Sequence, residues 1–428
     1  MRFTEEMTER AHYDVLVAGG GLAGVAAAVA AARAGKRVLL LEKSQKLGGL
    51  ATLGLINLFV PMCNGRGKQI IFGMAEEFLR LSIRNGYGGV PEDFISGRIP
   101  EEKLAAYRAE GKLPPRYMTR FSPEIFALEL TGLCAEVGVD LRFDALLTRA
   151  AVEETGGRKR VLGVVIEEKS GPAYYGADMF VDATGDGDLM ARAGLPTAVR
   201  SNFHTYMGLR ITLESCALAA RTGNIGAATG YFAGGDATLY GEKHPEGLPL
   251  YDGTDSDEVN RYLLQNQLEM LKNLQGQDRL SRDMVTLPGM CQFRTTRRIE
   301  GDYVLQESDA YRHFDDSIAA ICDFDRRDYL FEVPRRALVR SGWDNLVTAG
   351  RSAAGEGYAW DVLRVIPPAI VTGQAAGLLC CQALDESRAV YSTDIRALQA
   401  ELARQNVLLH FDDADVPAQS AQAHEHND

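Results

Sequence analysis

The chain has 428 residues, of which 46% are hydrophobic and 24% charged, a composition typical of a soluble globular protein and incompatible with general disorder. Its formal net charge of −12 disfavours binding to nucleic acids and to anionic membranes, which both select basic surfaces. Glycine is over-represented, with 44 residues against about 30 expected from a usual share of ~7%, so about 14 glycines need a local reason.

The N-terminal region has the pattern of a β-α-β unit. Residues 1–11 are polar and predicted to form an arm, 13–18 a buried parallel strand, 24–34 an alanine-rich helix ended by Gly35, and 37–41 a second strand. The 18 uncharged residues 15–32 are long enough for a membrane helix, but the four glycines among them favour a strand, a turn and a helix instead. The first residues, MRFTEEMTER, lack the pattern of a secretory signal.

The next part of the chain mixes helical and strand-like patterns. A helix is predicted over residues 73–84, followed by a Gly/Pro-rich stretch to about residue 121. A second helix is predicted over 123–137, behind the cap Ser122-Pro123. Three or four strand-like runs between residues 140 and 181 then predict a small sheet layered on the first one.

Residues 196–340 are less regular and are predicted to form an inserted second domain, with an amphipathic helix over 257–274. A buried strand returns near Asn345, and helices are predicted over 368–384 and 393–409. Residues 12–195 and 341–411 would then form one discontinuous domain. The acidic tail 412–428 is predicted to be disordered, with solvated histidines at 424 and 426.

The cysteines are scattered and contain no Cys-x-x-Cys pair, at positions 63, 134, 216, 291, 322, 380 and 381. Their odd number predicts reduced, buried thiols in a cytoplasmic protein, and their spacing predicts no zinc-type metal site. The vicinal pair Cys380 and Cys381 lies in an apolar helical pattern and is predicted to be inert.

A dinucleotide-binding fingerprint, Gly19-x-Gly21-x-x-Gly24, follows the first strand and opens the first helix. Gly19 allows a tight turn, Gly21 lets the backbone approach a pyrophosphate, and Gly24 allows the helix and strand to pack closely. Glu42 ends the second strand, where it can accept hydrogen bonds from ribose hydroxyls and repel the 2′-phosphate of NADP. The alternative is a glycine turn that binds nothing.

Four later motifs separate FAD from NAD as the ligand. They are GGLAT at residues 48–52 with Gly54, VDATGD at 181–186, NLVTAGR at 345–351, and RVIPP at 364–368 leading into TGQAAG at 372–377. In order and spacing they resemble the glutathione-reductase-type FAD fold, most closely the fumarate-reductase-like group of FAD-dependent oxidoreductases. The redox cysteine pair of disulfide reductases is absent after the GG motif.

The resemblance implies an α/β fold. A Rossmann-like FAD-binding domain, with a parallel sheet and a small antiparallel layer, would carry an inserted α+β substrate or cap domain. Residues 43–70 contain no histidine, so the FAD is expected to be noncovalent. The helix near Pro368 would aim its N-terminus at the N1/O2 edge of the flavin, where reduced flavin is anionic.

The resemblance also implies a set of FAD contacts, including pyrophosphate and ribityl contacts at the second glycine turn, an adenine contact near Ala150, and ribityl or phosphate contacts at Gly350 and Arg351. The expected residues are Gly19, Gly21, Leu22, Ala23, Gly24, Glu42, Lys43, Gly48, Gly49, Ala51, Thr52, Gly54, Ala150, Asp182, Thr184, Gly185, Gly350, Arg351, Pro367 and Gly373.

The candidates for catalysis are His204 and Tyr206 as acid or base, and Arg297, Arg298 and Arg364 as binders of an anionic group. A core histidine, a salt-bridge network in the basic run RTTRR, and a helix-terminal contact are the structural alternatives. The expected reaction is hydride transfer between a small organic substrate and flavin N5, as C–H or C–OH oxidation or C=C reduction.

Two other functions are kept open, an electron-relay or noncatalytic flavoprotein with a partner subunit and a flavin enzyme acting on RNA. The expected partner is a small-molecule substrate, anionic if the arginines bind it. Neither a nucleic acid nor a membrane is expected, and a homo-oligomer is compatible with the sequence.

Overall fold

The computed structural model describes residues 7–95 and 97–416, which form sixteen strands and ten α-helices. The strands are β1 (Glu9–Ala18), β2 (Val38–Leu41), β3 (Leu58–Phe59), β4 (Thr119–Arg120), β5 (Asp140–Arg142), β6 (Leu146–Thr155), β7 (Arg158–Glu168), β8 (Gly171–Asp182), β9 (Thr197–Val199), β10 (Thr205–Thr212), β11 (Thr229–Asp236), β12 (Arg282–Thr286), β13 (Arg297–Ile299), β14 (Ser317–Cys322), β15 (Leu330–Pro334) and β16 (Leu346–Thr348). The helices are α1 (Leu22–Arg33), α2 (Met74–Arg84), α3 (Glu101–Ala109), α4 (Pro123–Glu136), α5 (Asp188–Ala193), α6 (Leu213–Thr222), α7 (Ser256–Gln275), α8 (Gly357–Leu363), α9 (Ile366–Glu386) and α10 (Ile395–Arg404).

The main sheet has seven strands in the order β5-β2-β1-β8-β7-β6, with β16 also paired to β8. Strands β5, β2, β1, β8 and β16 run parallel, as the buried apolar runs predict. The antiparallel strands β6 and β7 are hydrogen-bonded into this sheet through the first half of β8, so they extend it. The α/β class predicted from the sequence is confirmed.

Two helices cover one face of the parallel strands in close contact. Helix α1 is buried along Leu22–Ala31, and α9 is buried along most of its length. Their backbones come into close contact at Gly373 and Gly377 of α9, where an added Cβ atom would lie 2.1 Å from Ala23 O and 2.3 Å from Ala27 O.

The seven cysteines are free, and Cys380 and Cys381 are buried in α9.

A second, smaller core lies between the antiparallel sheet β11-β10-β12 and helix α7. Its buried residues are Tyr206, Phe232, Tyr251, Tyr262, Met270 and Phe293. This core ends earlier than the predicted second domain, since Ile299, Leu305 and Phe314 already belong to the first core.

Other boundaries also differ from the predictions. Strand β1 starts at Glu9, inside the predicted arm, because residues 9–12 pair with β8. Helix α3 lies in the stretch predicted to be irregular, behind Pro100 and with two glutamates in its first turn. Asp413–Asp415 forms a helical turn with Asp415 buried, so the tail is ordered at least to Val416. The rest of the predicted tail, 417–428, lies outside the described residues.

Across residues 7–95 and 97–416, no single helix has the length and apolarity to cross a membrane. Helices α8 and α9 reach that criterion only when taken together, and they meet at an angle of 77°.

Candidate functional site

A cavity of about 540 Å³ opens at the carboxyl ends of the parallel strands. Its walls include Ala18 and Gly19 at the end of β1, Leu41 and Glu42 at the end of β2, Ala183 to Gly185 after β8, and Ala349 to Arg351 after β16. Open α/β sheets bind ligands at this edge, and the volume lies within the range of about 300–1,000 Å³ typical of ligand pockets.

The first glycine loop is shaped by backbone contacts at two of its three motif positions. Gly19 has φ +102°, and a Cβ atom there would lie 2.4 Å from Ala183 O. A Cβ atom on Gly24 would lie 1.8 Å from Gly19 O. These two glycines are therefore required by the fold itself, and Gly24 does not line the cavity.

Gly21 is different because its backbone is ordinary, with φ −63°, and a Cβ atom there would meet no protein atom within 4 Å. It lines the cavity beside Leu22 and Ala23, where the first N–H groups of α1 have no acceptor within the helix. The protein thus leaves space in front of the N–H groups of a helix N-terminus, an arrangement that binds phosphate. The site fits the pyrophosphate of a dinucleotide.

Glu42 hydrogen-bonds both to the first glycine loop and to the segment that follows β2. One carboxylate oxygen accepts the Gly20 N–H at 2.7 Å, and the other accepts the Ser44 N–H at 2.8 Å. Each carboxylate oxygen can accept a further hydrogen bond, so Glu42 can also receive ribose hydroxyls in the cavity that it and Lys43 line.

The second glycine turn lies against the first. The Gly48 N–H donates to Gly20 O at 2.8 Å, and Gly48 has φ +106°. Gly48, Gly49 and Ala51 line the cavity, together with Leu50 and Leu53. Thr52 and Gly54 do not, because the Thr52 hydroxyl donates to Leu47 O at 2.6 Å and Gly54 O accepts from Gln292 on the far side of the turn.

The turn after β8 is built on Asp182, which is fully buried and does not reach the cavity. Its carboxylate accepts the Thr184 N–H and hydroxyl at 3.1 and 2.7 Å and the Met190 N–H at 2.8 Å. Burial raises the pKa of Asp182 to about 6. Asp182 therefore positions Thr184 and Gly185, which do line the cavity.

Arg351 lines the cavity, but its guanidinium is engaged with the protein. It donates to Gly185 O at 2.7 Å, to Asp186 at 2.5 Å and to Phe293 O. Arg351 thus joins the turn after β8 to the second core, and Gly350 beside it presents backbone to the cavity. The Gly350 N–H itself donates to the Thr372 hydroxyl of α9 at 3.0 Å.

Three further expected contacts, at Ala150, Pro367 and Gly373, also lie outside the cavity. The start of β6 lines it with Leu146 and Leu147, whereas Ala150 lies further along the strand. At α9 the lining residues are Ile366 and Ala369, not Pro367. Gly373 packs against Ala23 O and serves the contact between helices α1 and α9.

Of the catalytic candidates, Arg364 is the one that lines this cavity. Its Nε donates to Asp361 at 3.0 Å, and Asp361 also accepts from Arg200 at 2.8 Å. Burial, reinforced by the nearby guanidinium groups of Arg351 and Arg200, lowers the pKa of Arg364.

Arg297 lies in an adjoining cleft of about 550 Å³, where it donates to Asp186 O at 3.0 Å. This cleft shares Lys43, Met290 and Arg351 with the cavity and extends to the start of α7.

The other three candidates, Arg298, Tyr206 and His204, line neither the cavity nor the cleft. Arg298 is buried and pairs with Glu356, and Tyr206 is a fully buried residue of the second core.

His204 is also buried in the second core. Its ring nitrogens lie 2.9 Å from the Tyr251 hydroxyl and 2.9 Å from Glu269. Its side chain thus joins β10 to α7, which is the structural alternative that the sequence left open.

The sequence reasoning missed the contribution of Gly289 and Met290 to the cavity wall. The Gly289 N–H donates to Leu53 O at 2.8 Å, which brings this segment over the second glycine turn. The Pro288-Gly289 dipeptide is a turn signal, but its partner lies more than two hundred residues away in sequence.

Comparison with known proteins agrees with this architecture. The chain matches the family model described as FAD dependent oxidoreductase over residues 14–207 and 235–402. It is 30% identical over 194 residues to the digeranylgeranylglycerophospholipid reductase of Methanoculleus marisnigri, covering 44% of this chain and 42% of that protein. It is 50% identical over 115 residues to the 4-oxocyclohexanecarboxylate 2-dehydrogenase of Sinomonas cyclohexanicum, covering 26% and 18%.

These similarities span less than half the length of either curated relative. Among solved structures, a geranylgeranyl bacteriochlorophyll reductase-like protein of Thermoplasma acidophilum is 15% identical, with a TM-score of 0.43, covering 92% of this chain and 84% of that one.

Proposed function

The chain belongs to the FAD-dependent oxidoreductase family, and on that premise we propose that it transfers a hydride between a small, anionic organic molecule and N5 of bound FAD. The family establishes an oxidoreductase that uses FAD. The class of substrate is inferred from the charges around the cavity. When bound, FAD supplies a two-electron centre that can accept or give a hydride.

An excess of positive charge around Arg364 carries the proposal. Arg364 and Arg200 share one carboxylate, that of Asp361. Arg294 is half-buried nearby, where its guanidinium donates to the carbonyls of Ala237 and Thr238. Burial, together with repulsion from Arg364, lowers the pKa of Arg294 to about 10.

A buried guanidinium remains charged at neutral pH, so this cluster holds more cations than anions. An anion at the cavity end beside Arg364 would relieve that repulsion. A guanidinium binds a carboxylate through two parallel hydrogen bonds, which fixes both its position and its orientation. We therefore assign Arg364 to binding the substrate carboxylate, with the adjoining cleft as the route by which the substrate enters.

The arrangement is compatible with C–H or C–OH oxidation and with C=C reduction. It gives little support to the function on RNA. Of the basic run, Arg298 is buried, and the side chain of Arg297 is 17% exposed and paired with Asp188 at 3.6 Å. The electron relay, a homo-oligomeric state and a cytoplasmic location remain predictions from the sequence.

The test is an anaerobic screen of the purified flavoprotein, in which loss of flavin absorbance is followed with carboxylic acids, neutral alcohols, sugars, amines and NAD(P)H. We expect bleaching by a carboxylic acid, or reoxidation of chemically reduced flavin by an unsaturated one. Arg364→Gln should raise the KM for that acid at least tenfold while FAD stays bound.

Arg335→Gln is a matched control, because Arg335 is a half-buried arginine whose pKa burial also lowers and which donates to Thr393 O, away from the cavity. A flavin that reacts with neutral molecules only, or that no small molecule reduces or reoxidises, would overturn the proposal. The second result would favour the electron relay.

A further inference from the structure

Three side chains from distant parts of the sequence meet at the β14–β15 hairpin. Glu332 lies in the middle of β15, His313 lies in the loop before β14, and His410 lies in the C-terminal segment after α10. The side chain of Glu332 is completely buried, whereas those of His313 and His410 are 42% and 43% exposed. None of the three lines the FAD cavity or the adjoining cleft.

Their polar atoms converge on one point. His313 Nδ1 lies 2.5 Å from Glu332 Oε1, and His410 Nδ1 lies 3.0 Å from Glu332 Oε2. One potential ligand atom from each residue lies within 4.8 Å of the other two. Because both imidazole side chains are partly exposed, solvent can supply a further ligand such as water.

The partners of these side chains hold them in place. The Phe314 N–H donates to Glu332 Oε2 at 2.7 Å, and His313 Nε2 lies 3.0 Å from Asp413. Histidine ligands of metals nearly always use their second ring nitrogen to donate to a carboxylate or carbonyl, which fixes the ring. Asp413 is placed to do this for His313.

The charge on Glu332 gives a reason for a cation. A carboxylate with no solvent exposure is unfavourable unless an opposite charge compensates it. The ion pairs found for Glu332 among the described residues are those to the two imidazoles. Hydrogen bonds to Asp413 and Glu332 raise the pKa of His313, so a protonated His313 can supply this charge when no metal is bound, and a divalent cation would take its place.

We propose that His313, Glu332 and His410 bind a divalent cation of the Zn²⁺ class, with water as the fourth ligand. Two imidazoles and one carboxylate form a donor set that suits Zn²⁺. Ligand bonds of about 2.0–2.2 Å require ligand atoms about 3.3 Å apart in a tetrahedral site. The hydrogen-bond contacts of 2.5 and 3.0 Å to Glu332 are shorter than this value, and the three ligand atoms lie within 4.8 Å of one another, so side-chain rotations that open these contacts would admit the ion.

By binding both His410 and Glu332, the cation would link the C-terminal segment to the β14–β15 hairpin. That segment already joins β14 through Leu408 O, which accepts from Ala320 at 2.6 Å, and Leu409 O, which accepts from the Ser317 hydroxyl at 2.6 Å. The ligand residues are separated by 19 and 78 positions, so no zinc spacing is visible in the sequence.

The test uses the FAD-bound protein in a His424→Ala/His426→Ala background, so that the tail histidines cannot bind metal. After treatment with a chelator, Zn²⁺ is titrated by calorimetry, and the melting temperature is measured with and without Zn²⁺. We expect one equivalent to bind and to raise the melting temperature. Affinity should fall at least tenfold in His313→Asn and His410→Asn, and more modestly in Asp413→Asn.

His12→Asn is the matched control, because His12 also lies between two carboxylates, Glu9 at 3.0 Å and Asp178 at 3.2 Å. The variants must keep their FAD content, which shows that they are folded. Absence of Zn²⁺ binding to the chelated protein would overturn the proposal, as would equal affinity in the His313, His410 and His12 variants.

Discussion

Gly21 differs from its neighbours Gly19 and Gly24 in what surrounds its α-carbon. The fold excludes a side chain at Gly19 and Gly24, whereas the protein leaves open space at Gly21. An alanine at this position can therefore adopt the native backbone, but its methyl group would point into the space that the pyrophosphate needs. A substitution at Gly21 therefore tests ligand binding without disturbing the fold.

We expect Gly21→Ala to weaken FAD binding at least tenfold and to lower the free energy of unfolding of the apoprotein by less than about 1 kcal/mol. Fluorescence titration with FAD and urea unfolding measure the two effects. Gly230→Ala is the control, since a Cβ atom there also meets nothing within 4 Å but lies in β11, away from the cavity. Equal FAD affinity in the Gly21 and Gly230 variants would contradict this assignment.

Asp182 makes the free energy of unfolding depend on pH, in a direction that its burial determines. Burial raises the pKa of Asp182 in the folded protein to about 6, from an ordinary value of 3.8. Between these values the folded protein retains the proton and the unfolded chain has lost it. The contribution of Asp182 to the free energy of unfolding is therefore greatest below pH ~4 and falls as the pH rises through 6, by about 3 kcal/mol.

In Asp182→Asn this titration is removed, so the stability advantage of the wild-type protein over the variant should shrink between pH 4 and pH 7. Urea unfolding at several pH values measures that difference. Asp302→Asn is an exposed control, because Asp302 likewise accepts an N–H and a hydroxyl, both from Ser341. An advantage over Asp182→Asn that stays constant across the range would refute the prediction.

At the scale of elements, the contact between α1 and α9 links stability to the binding site. A methyl group at Gly377 would collide with Ala27 O, and one at Gly373 with Ala23 O. Ala23 lines the cavity at the N-terminal turn of α1, whereas Ala27 lies one turn further into the helix. A displacement at Gly373 therefore reaches the FAD site more directly.

Both Gly373→Ala and Gly377→Ala should lower the free energy of unfolding by about 1–3 kcal/mol through overpacking. Gly373→Ala should in addition weaken FAD binding more than Gly377→Ala. Gly132→Ala, at an open position in α4, should leave FAD affinity unchanged and raise stability by up to about 1 kcal/mol. Equal weakening of FAD binding by Gly373→Ala and Gly377→Ala would contradict the prediction that a displacement at Gly373 reaches the FAD site more directly.

The elements and residues that were predictable are those with a local physical signal. The first β-α-β unit and helix α4 follow from apolar runs, glycines and the Ser122 cap, which accepts the Ile125 N–H in the structure. Helix α3 has acidic residues at its start, but the surrounding glycines and prolines obscured it. Ala150 does not line the cavity, because the sequence shows that a strand exists but not at which residue the strand passes the cavity.

Other parts of the site depend on contacts between distant segments and carry no local signal. Met290 reaches the cavity through the Gly289–Leu53 hydrogen bond, and His204 is held in the second core by Glu269 of α7. A histidine in a polar segment has the same appearance in sequence whether it serves catalysis or packing. The structure places His204 and Tyr206 away from the cavity and Arg364 in its wall, and the catalytic role of each stays a prediction.

At the scale of the whole molecule, the cavity lies where the two hydrophobic cores meet. The glycine turns and α9 belong to the first core, whereas Gly289 and Met290 lead into Phe293 of the second core. Arg351 bridges the same junction through its hydrogen bond to Phe293 O. A ligand in the cavity therefore lies against elements of the first core and against the segment that leads into the second.

FAD should accordingly stabilise both cores and not the first one alone. At a free concentration one hundred times its dissociation constant, FAD should raise the free energy of unfolding by about 2.7 kcal/mol. Hydrogen exchange followed by mass spectrometry should show protection on FAD binding in residues 42–54 and also in 287–293. Helix α3, which lies away from the cavity, should exchange equally in both states. Protection confined to residues of the first core would show that the second core is not coupled to the cofactor.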